Sequence, residues 1–189
     1  MYNAVDTAIV GHVLGENSLA AVGATASIFE LLVGFSMSLG AGFSIVIARA
    51  FGSGETHKMK KAVAGSIEIG VFTTLILTIL SMFLLKPLLV LIDTPQEIMD
   101  QALAYISVIG YFVFVMFAYN LCSGILRSIG NSFMPLVFLV FSSILNIFLD
   151  YACMAWFNMG VAGAAIATVT AQGIVMSVMI IGIFVQKKD

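Results

Sequence analysis

Four carboxylates sit inside long apolar runs of this sequence: Asp6, Glu30, Glu68 and Asp150. An ionised carboxylate in hydrocarbon costs about 2.5 kcal/mol or more, so each must face a cavity, pair with another group or carry a proton. Asp6 and Asp150 have polar company at helical spacing. Tyr2 lies four residues before Asp6 and Asn146 four before Asp150, so each pair shares one helix face. Depth adds a fifth residue. Counted from the outer ends of their apolar runs, Asp6 lies eight residues below Leu14, Asp150 seven below Phe157 and Thr168 seven below Val161. At a helical rise of about 1.5 Å per residue, all three fall roughly 10–12 Å below the same surface. One level of a bundle could thus hold two carboxylates, a phenol, an amide and a hydroxyl. Such an oxygen-rich set suits a hard cation such as Na⁺, and a carboxylate pair serves equally for H⁺. The same residues also suit a structural use, because Asn and Thr hydrogen-bond membrane helices to one another. Spacing alone leaves both readings open.

The other titratable groups are less telling. Glu30 lies mid-span, at about the depth of Tyr2 and Asn146, where it could line the same cavity or a substrate path. Glu68 lies within snorkelling distance of an interface and reads as structural. His12 and His57 have no metal-ligand company and read as solvated.

The elements that must position these residues follow from composition. Of 189 residues, 61% are hydrophobic and 10% charged, against about half and roughly a quarter in soluble domains. That excludes a water-soluble fold, disorder and a disulfide scaffold. The net charge of −2 offers no patch for nucleic acid. Cys122 and Cys153 lie inside apolar runs, so neither reads as a bridge or a zinc ligand. Six apolar runs cover approximately 2–14, 18–47, 62–92, 102–126, 134–157 and 161–185. They lack the alternating lumen face of a strand barrel. The reading is an all-α integral membrane protein, a six-helix transmembrane bundle. The first run spans only about 20 Å of helix against a core of about 30 Å, so the first helix is expected to be incomplete.

Between the runs lie turn residues. Gly15–Ser18, Gly52–Glu55, Asn131-Ser132 and Asn158–Gly160 break the chain, and Asp93-Thr94-Pro95 is expected to cap the next helix. Charge sorts the loops. Arg49, Lys58, Lys60, Lys61, Arg127, Lys187 and Lys188 fall on one side, and only Lys86 on the other, beside Glu16, Asp93, Glu97 and Asp100. That asymmetry predicts cytoplasmic loops after spans two, four and six of a multi-pass cell-membrane protein. Gly34, Gly40, Gly42, Gly65, Gly70 and the run Gly160–Ala165 read as small residues at helix contacts. No glycine-rich phosphate loop occurs, so nucleotide hydrolysis finds no support. Ile47–Gly52 and Ile125–Gly130 form a weak internal echo at two helix exits on the same side.

Together these motifs resemble the multidrug and toxic compound extrusion (MATE) family. Tyr2-Asn3-Ala4-Val5-Asp6-Thr7, with Val10-Gly11 and Leu19-Ala20-Ala21-Val22-Gly23, is similar to the family's first-span signature. Ala48–Gly54 resembles its second-loop motif, and Gly124–Asn131 with Met134-Pro135 its span-four exit. Asn146–Asp150 and Met159–Thr168 resemble its spans five and six. The likeness runs through essentially the whole chain in family order.

The resemblance implies twelve spans in two lobes that export organic cations in exchange for Na⁺ or H⁺. Residues 1–189 would form the N-terminal lobe, without the inner part of span one and without the C-terminal lobe. It implies ion binding at Asp6 and Asp150, supported by Tyr2, Asn146 and Thr168, with no cofactor beyond the coupling ion and no enzymatic activity. The implied partners are the bilayer, a small lipophilic cation, and a C-lobe or a second half-length chain; one lobe alone is not expected to transport. Two alternatives are a lipid-linked-sugar flippase of the same superfamily, disfavoured by the lack of mid-span Lys or Arg, and a non-transporting membrane assembly partner.

Overall fold

The computed structural model describes the backbone of residues 2–186 and the surroundings of side chains 5–182. It is helical throughout, with no strand among the described residues. In chain order the helices are α1 (Tyr2–Leu14), α2 (Glu16–Ala24), α3 (Ala26–Gly52), α4 (Thr56–Leu91), α5 (Gln96–Tyr111), α6 (Val113–Ser128), α7 (Phe133–Tyr151) and α8 (Val161–Gln186). A π-helical segment, Ala152–Trp156, extends α7. Four of these are long and apolar enough to cross a membrane: α3, α4, α7 with its extension, and α8. Taken together, α5 and α6, joined by a bend of 48°, are long and apolar enough for a fifth crossing. α1 is apolar but short.

The outside is greasy because its solvent is lipid. Phe83 is 75% exposed and Leu91 77%. The interior centres on α8, half of whose apolar window is buried, against 22% for α3, α4 and α7. Its Ala164, Ala165, Ala167 and Ala171 are fully buried. Small side chains let α1, α5 and α7 approach the α8 backbone closely. The largest core cluster joins Val10, Leu32, Leu89, Tyr105, Ile106, Met154 and Ala165 across the bundle.

Boundaries depart from hydropathy in instructive ways. The run expected over 18–47 is broken at Thr25, which turns back on Val22 O through both its N–H (3.1 Å) and its hydroxyl (2.8 Å). α4 begins at Thr56 and α5 at Gln96, each six residues before its apolar run, since Lys and Gln favour helix without being apolar. Pro95 occupies the N-cap position of α5, and Asp93, at φ 54°, closes α4 instead of capping α5.

The glycines also divide. A Cβ on Gly40 would meet Asn120 Cβ at 3.3 Å, and one on Gly124 would collide with Ser44 Oγ, so the two helices that carry the sequence echo, α3 and α6, touch at glycine. Gly34, Gly42 and Gly65 have nothing within 4 Å of such a Cβ, and the expectation that they are contact glycines is corrected accordingly. At Gly110 of α5 a Cβ would lie 2.7 Å from Ser81 Cβ of α4, an atom fixed to the backbone. Gly110→Val is therefore expected to destabilise the bundle by about 1–3 kcal/mol through overpacking. Gly34→Ala should leave the unfolding midpoint in detergent within about 0.5 kcal/mol of the parent, as surface changes do.

Candidate cation site

Four of the sequence-predicted residues meet at one point inside the bundle. Asp6 sits near the start of α1, Asn146 and Asp150 in the last turns of α7, and Thr168 in the second turn of α8; all four are buried. Their convergence has a local origin. α7 presents Ser142, Asn146 and Asp150 on one stripe at a spacing of four, and α8 presents Ala164, Thr168 and Gln172 likewise. After Asp150 the helix widens into the π segment, where Phe157 N–H donates to Ala152 O at 3.1 Å. Such widenings recur at functional sites because they re-aim side chains.

The hydrogen bonds run in one direction. Asn146 Nδ2 donates to Thr168 Oγ1 at 3.3 Å. Thr168 Oγ1 donates to Asp6 Oδ2 at 2.8 Å, with Ala164 O at 3.1 Å as its alternative acceptor. This leaves three buried carboxylate oxygens, Asp6 Oδ1 and both oxygens of Asp150, with no donor among the described residues. The two carboxyl groups lie within electrostatic reach of each other. Carboxylates offer only acceptors, so a bond between them forms only when one carries a proton. Two bare ionised carboxylates in a dry pocket repel each other and each loses its hydration. The arrangement is satisfied by a proton shared between them or by a small cation taken from the oxygens.

Three further residues belong to this place and were not singled out from the sequence. Tyr105 of α5 is buried, its hydroxyl lacks a partner among the described residues, and it lies within electrostatic reach of both Asp6 and Asp150. Ser142 Oγ and Gln172 Oε1 are also buried and unpartnered, one turn beyond Asn146 and Thr168 respectively. The stripes of four were the available signal for Ser142 and Gln172. Tyr105 had only the apolar pattern Ala102–Tyr105–Ile109 around it.

The remaining candidates lie elsewhere. The side chain of Tyr2 lies outside the described ones. Glu30 is exposed on α3 and carries no hydrogen bond or ion pair among the described residues, so it is not brought into the cluster. Glu68, His12 and His57 are exposed as well. The described residues hold no group of three or more His, Cys, Asp or Glu side chains arranged for a metal ion.

Above the cluster lies a cleft of about 440 Å³, lined by Leu14 of α1, Asp100, Gln101 and Ala104 of α5, and Val161 and Ala162 of α8. Ser18 Oγ donates to Gln101 Oε1 at 2.9 Å across it. From Leu14, Gln101 and Val161 the same helix faces lead down to Asp6, Tyr105 and Thr168. The vertical distance is roughly 10–12 Å along α1 and α8. Fully buried Val10 and Ala165, one turn below Leu14 and Val161, separate cleft from cluster.

A model of the family described as MatE matches residues 1–152, from α1 to the first residue of the π segment. The chain belongs to the MatE family. The MatE family comprises transporters, not enzymes, and this chain is an integral membrane protein. It is 27% identical over 170 residues to the Bacillus subtilis protein named "Probable multidrug resistance protein YpnP", covering 90% of this chain and 38% of that protein. It is 25% identical over 189 residues to the "Multidrug export protein MepA" of Staphylococcus saprophyticus, covering 100% and 42%. Among solved structures, the outward-facing conformation of a multidrug resistance MATE family transporter superposes with a TM-score of 0.90 at 27% identity, over 100% of this chain and 42% of the other. The inward-facing conformation of such a transporter gives 0.87 at 28% identity, over 95% and 40%. The chain thus spans about two fifths of the length of the relatives it matches.

Proposed function

We propose that this MatE chain forms the N-terminal lobe of an antiporter that moves lipophilic organic cations out of the cell in exchange for Na⁺ or H⁺. The observation that carries the reading is the set of three carboxylate oxygens on Asp6 and Asp150 that have no donor among the described residues, buried beside Asn146, Thr168 and Tyr105. Such a set is stable only when a cation or proton neutralises it. The coupling ion enters through the cleft beside Asp100 and Gln101, passes the Val10–Ala165 constriction and binds the pair. Neutralisation removes the repulsion between α1 and α7 and changes how those helices pack. The packing change lowers affinity for the organic cation, which leaves on the outer side. The lobes then return with the ion bound and release it inside.

Alternating access requires a second lobe moving against this one, supplied by a C-terminal lobe or a second half-length chain. The loops at 53–55 and 129–132 face the cytoplasm in this reading, since Arg49, Lys58, Lys60, Lys61 and Arg127 cluster there.

The test is competition between ion and organic cation on the complete transporter in detergent. The affinity for a fluorescent cation such as ethidium is expected to fall at least about tenfold as Na⁺ or H⁺ saturates its site, within the usual 1–3 kcal/mol of coupling. Dye affinity that ignores both Na⁺ and pH rules out antiport.

A further inference from the structure

Away from the carboxylate cluster, an apolar groove of about 370 Å³ runs between α4 and α6, with Ile180 of α8 at its side. Val63, Ile67, Val71 and Thr74 line it from α4, at steps of four, four and three. The antiparallel α6 lines it from Phe114 to Ile125. Both stretches are twelve residues long, eleven steps or about 16 Å of helix. That is about half of a hydrocarbon core of roughly 30 Å, one leaflet deep. Its Val63 and Ile125 end lies toward the 53–55 and 129–132 loops, and its other end lies at Phe114, just after the bend between α5 and α6.

The walls present little for water to bind. Thr74, the polar residue at the deep end, returns its hydroxyl to Gly70 O at 2.8 Å. A site without free polar groups stays dry and takes an apolar occupant. Gly70 also sets the closeness of the two helices, because any Cβ there would collide with the ring of Phe117.

The mouth is charged. Extending the α4 stripe by three residues from Val63 reaches Lys60, which is exposed and has no ion partner among the described residues. Lys58, in contrast, is held by Glu55 at 2.8 Å. Lys61 is turned about 100° off the stripe. An unpaired ammonium at the head of a one-leaflet apolar slot matches one molecular shape: an acyl chain ending in an anionic headgroup. Basic residues at such intramembrane pockets attract anionic lipid heads.

We propose that the α4–α6 groove is a binding site for an anionic phospholipid, one acyl chain lying along Val63–Thr74 and the phosphate paired with Lys60. The site stands apart from the Asp6–Asp150 cluster and does not depend on the antiport reading.

The full chain, purified in detergent, is exposed to equal concentrations of phosphatidylglycerol and phosphatidylcholine with identical acyl chains and examined by native mass spectrometry. Retention of phosphatidylglycerol at least fivefold above phosphatidylcholine is expected. Lys60→Gln should equalise the two. Val71→Trp, at a position 60% exposed and so tolerant of bulk, should remove both while helicity is kept. Independently of any variant, phosphatidylglycerol with a photoreactive acyl chain should label peptides of α4 and α6. Equal retention of the two lipids by the parent chain overturns the proposal, as does labelling confined to other helices. A photo-crosslinker at position 71 that captures a polypeptide in native membranes, instead of lipid, also overturns it.

Discussion

Asp150→Asn, introduced into the complete transporter, is expected to abolish ion-driven efflux while the protein accumulates in the membrane at the parent level. The carboxamide keeps the size of the side chain and removes its charge. Two of the three carboxylate oxygens that lack a donor among the described residues belong to Asp150, so the variant loses one of the pair's two carboxylates and keeps the hydrogen bond from Thr168 to Asp6. A loss of at least about 100-fold in coupled rate is expected, the scale on which removing one charged partner of a buried site acts, about 3 kcal/mol or more. Stability should move the opposite way. Without coupling ion, the parent holds two acids against each other in a dry pocket, and the variant does not. Replacing buried charges by neutral groups is often neutral or stabilising by about 1–4 kcal/mol. Denaturation in ion-free detergent should therefore place the variant at or above the parent. Saturating the site with its coupling ion should raise the parent by about 1.4 kcal/mol per tenfold ion concentration above the dissociation constant, and leave the variant flat. Trp156, the single tryptophan, stands six residues after Asp150 and gives a convenient fluorescence signal. Undiminished efflux, or equal ion stabilisation of both proteins, would end the assignment of Asp150.

The same residues explain what a sequence reveals and what it conceals. Asp6 and Thr168 could be placed at one level because α1 and the first half of α8 are regular, so counting residues measures depth; the count from Phe157 to Asp150 crosses the five-residue π segment, too short to move Asp150 and Asn146 away from that level. Tyr105 escaped. Its helix begins six residues before the apolar run, at Gln96, and ends at Tyr111, before a 48° bend at Phe112. Counting along a bent span gives no depth, and the aromatic ring reads as ordinary core. The breaks at Thr25 and Phe112 were invisible for a related reason: hydropathy does not dip where a backbone turns within lipid-compatible residues. Glu30 lies in mid-span on the exposed surface of α3, apart from the buried cluster; depth says nothing of direction, so counting could not separate a place in that cluster from one along a surface path. Gly40 and Gly42 make the point at two residues' distance, one against Asn120 and the other in open space. Periodicity identifies faces, and only packing says which neighbour a face meets.

Geometry above the site supports a second large effect, one that separates access from affinity. Ala104 lies at the exposed wall of the cleft, one residue before buried Tyr105. Ala104→Trp puts an indole into the path between Asp100 and the Val10–Ala165 constriction and touches none of the carboxylates. The folded bundle should tolerate it, since position 104 is exposed. Equilibrium ion affinity, read from Trp156 in an Ala104→Phe counterpart that adds no second indole, is expected to stay within about threefold of the parent. The rates of ion binding and release are expected to fall together by at least tenfold in stopped-flow, because a plug raises the barrier in both directions equally. That raises the barrier by about 1.4 kcal/mol and leaves the end states alone. Asp150→Asn predicts the converse pattern, a lost equilibrium with no plug. If Ala104→Phe weakens affinity and leaves the rates of binding untouched, the cleft is part of the site and not its approach. If neither changes, ions reach Asp6 and Asp150 by another route, and the faces leading from Leu14, Gln101 and Val161 serve packing alone.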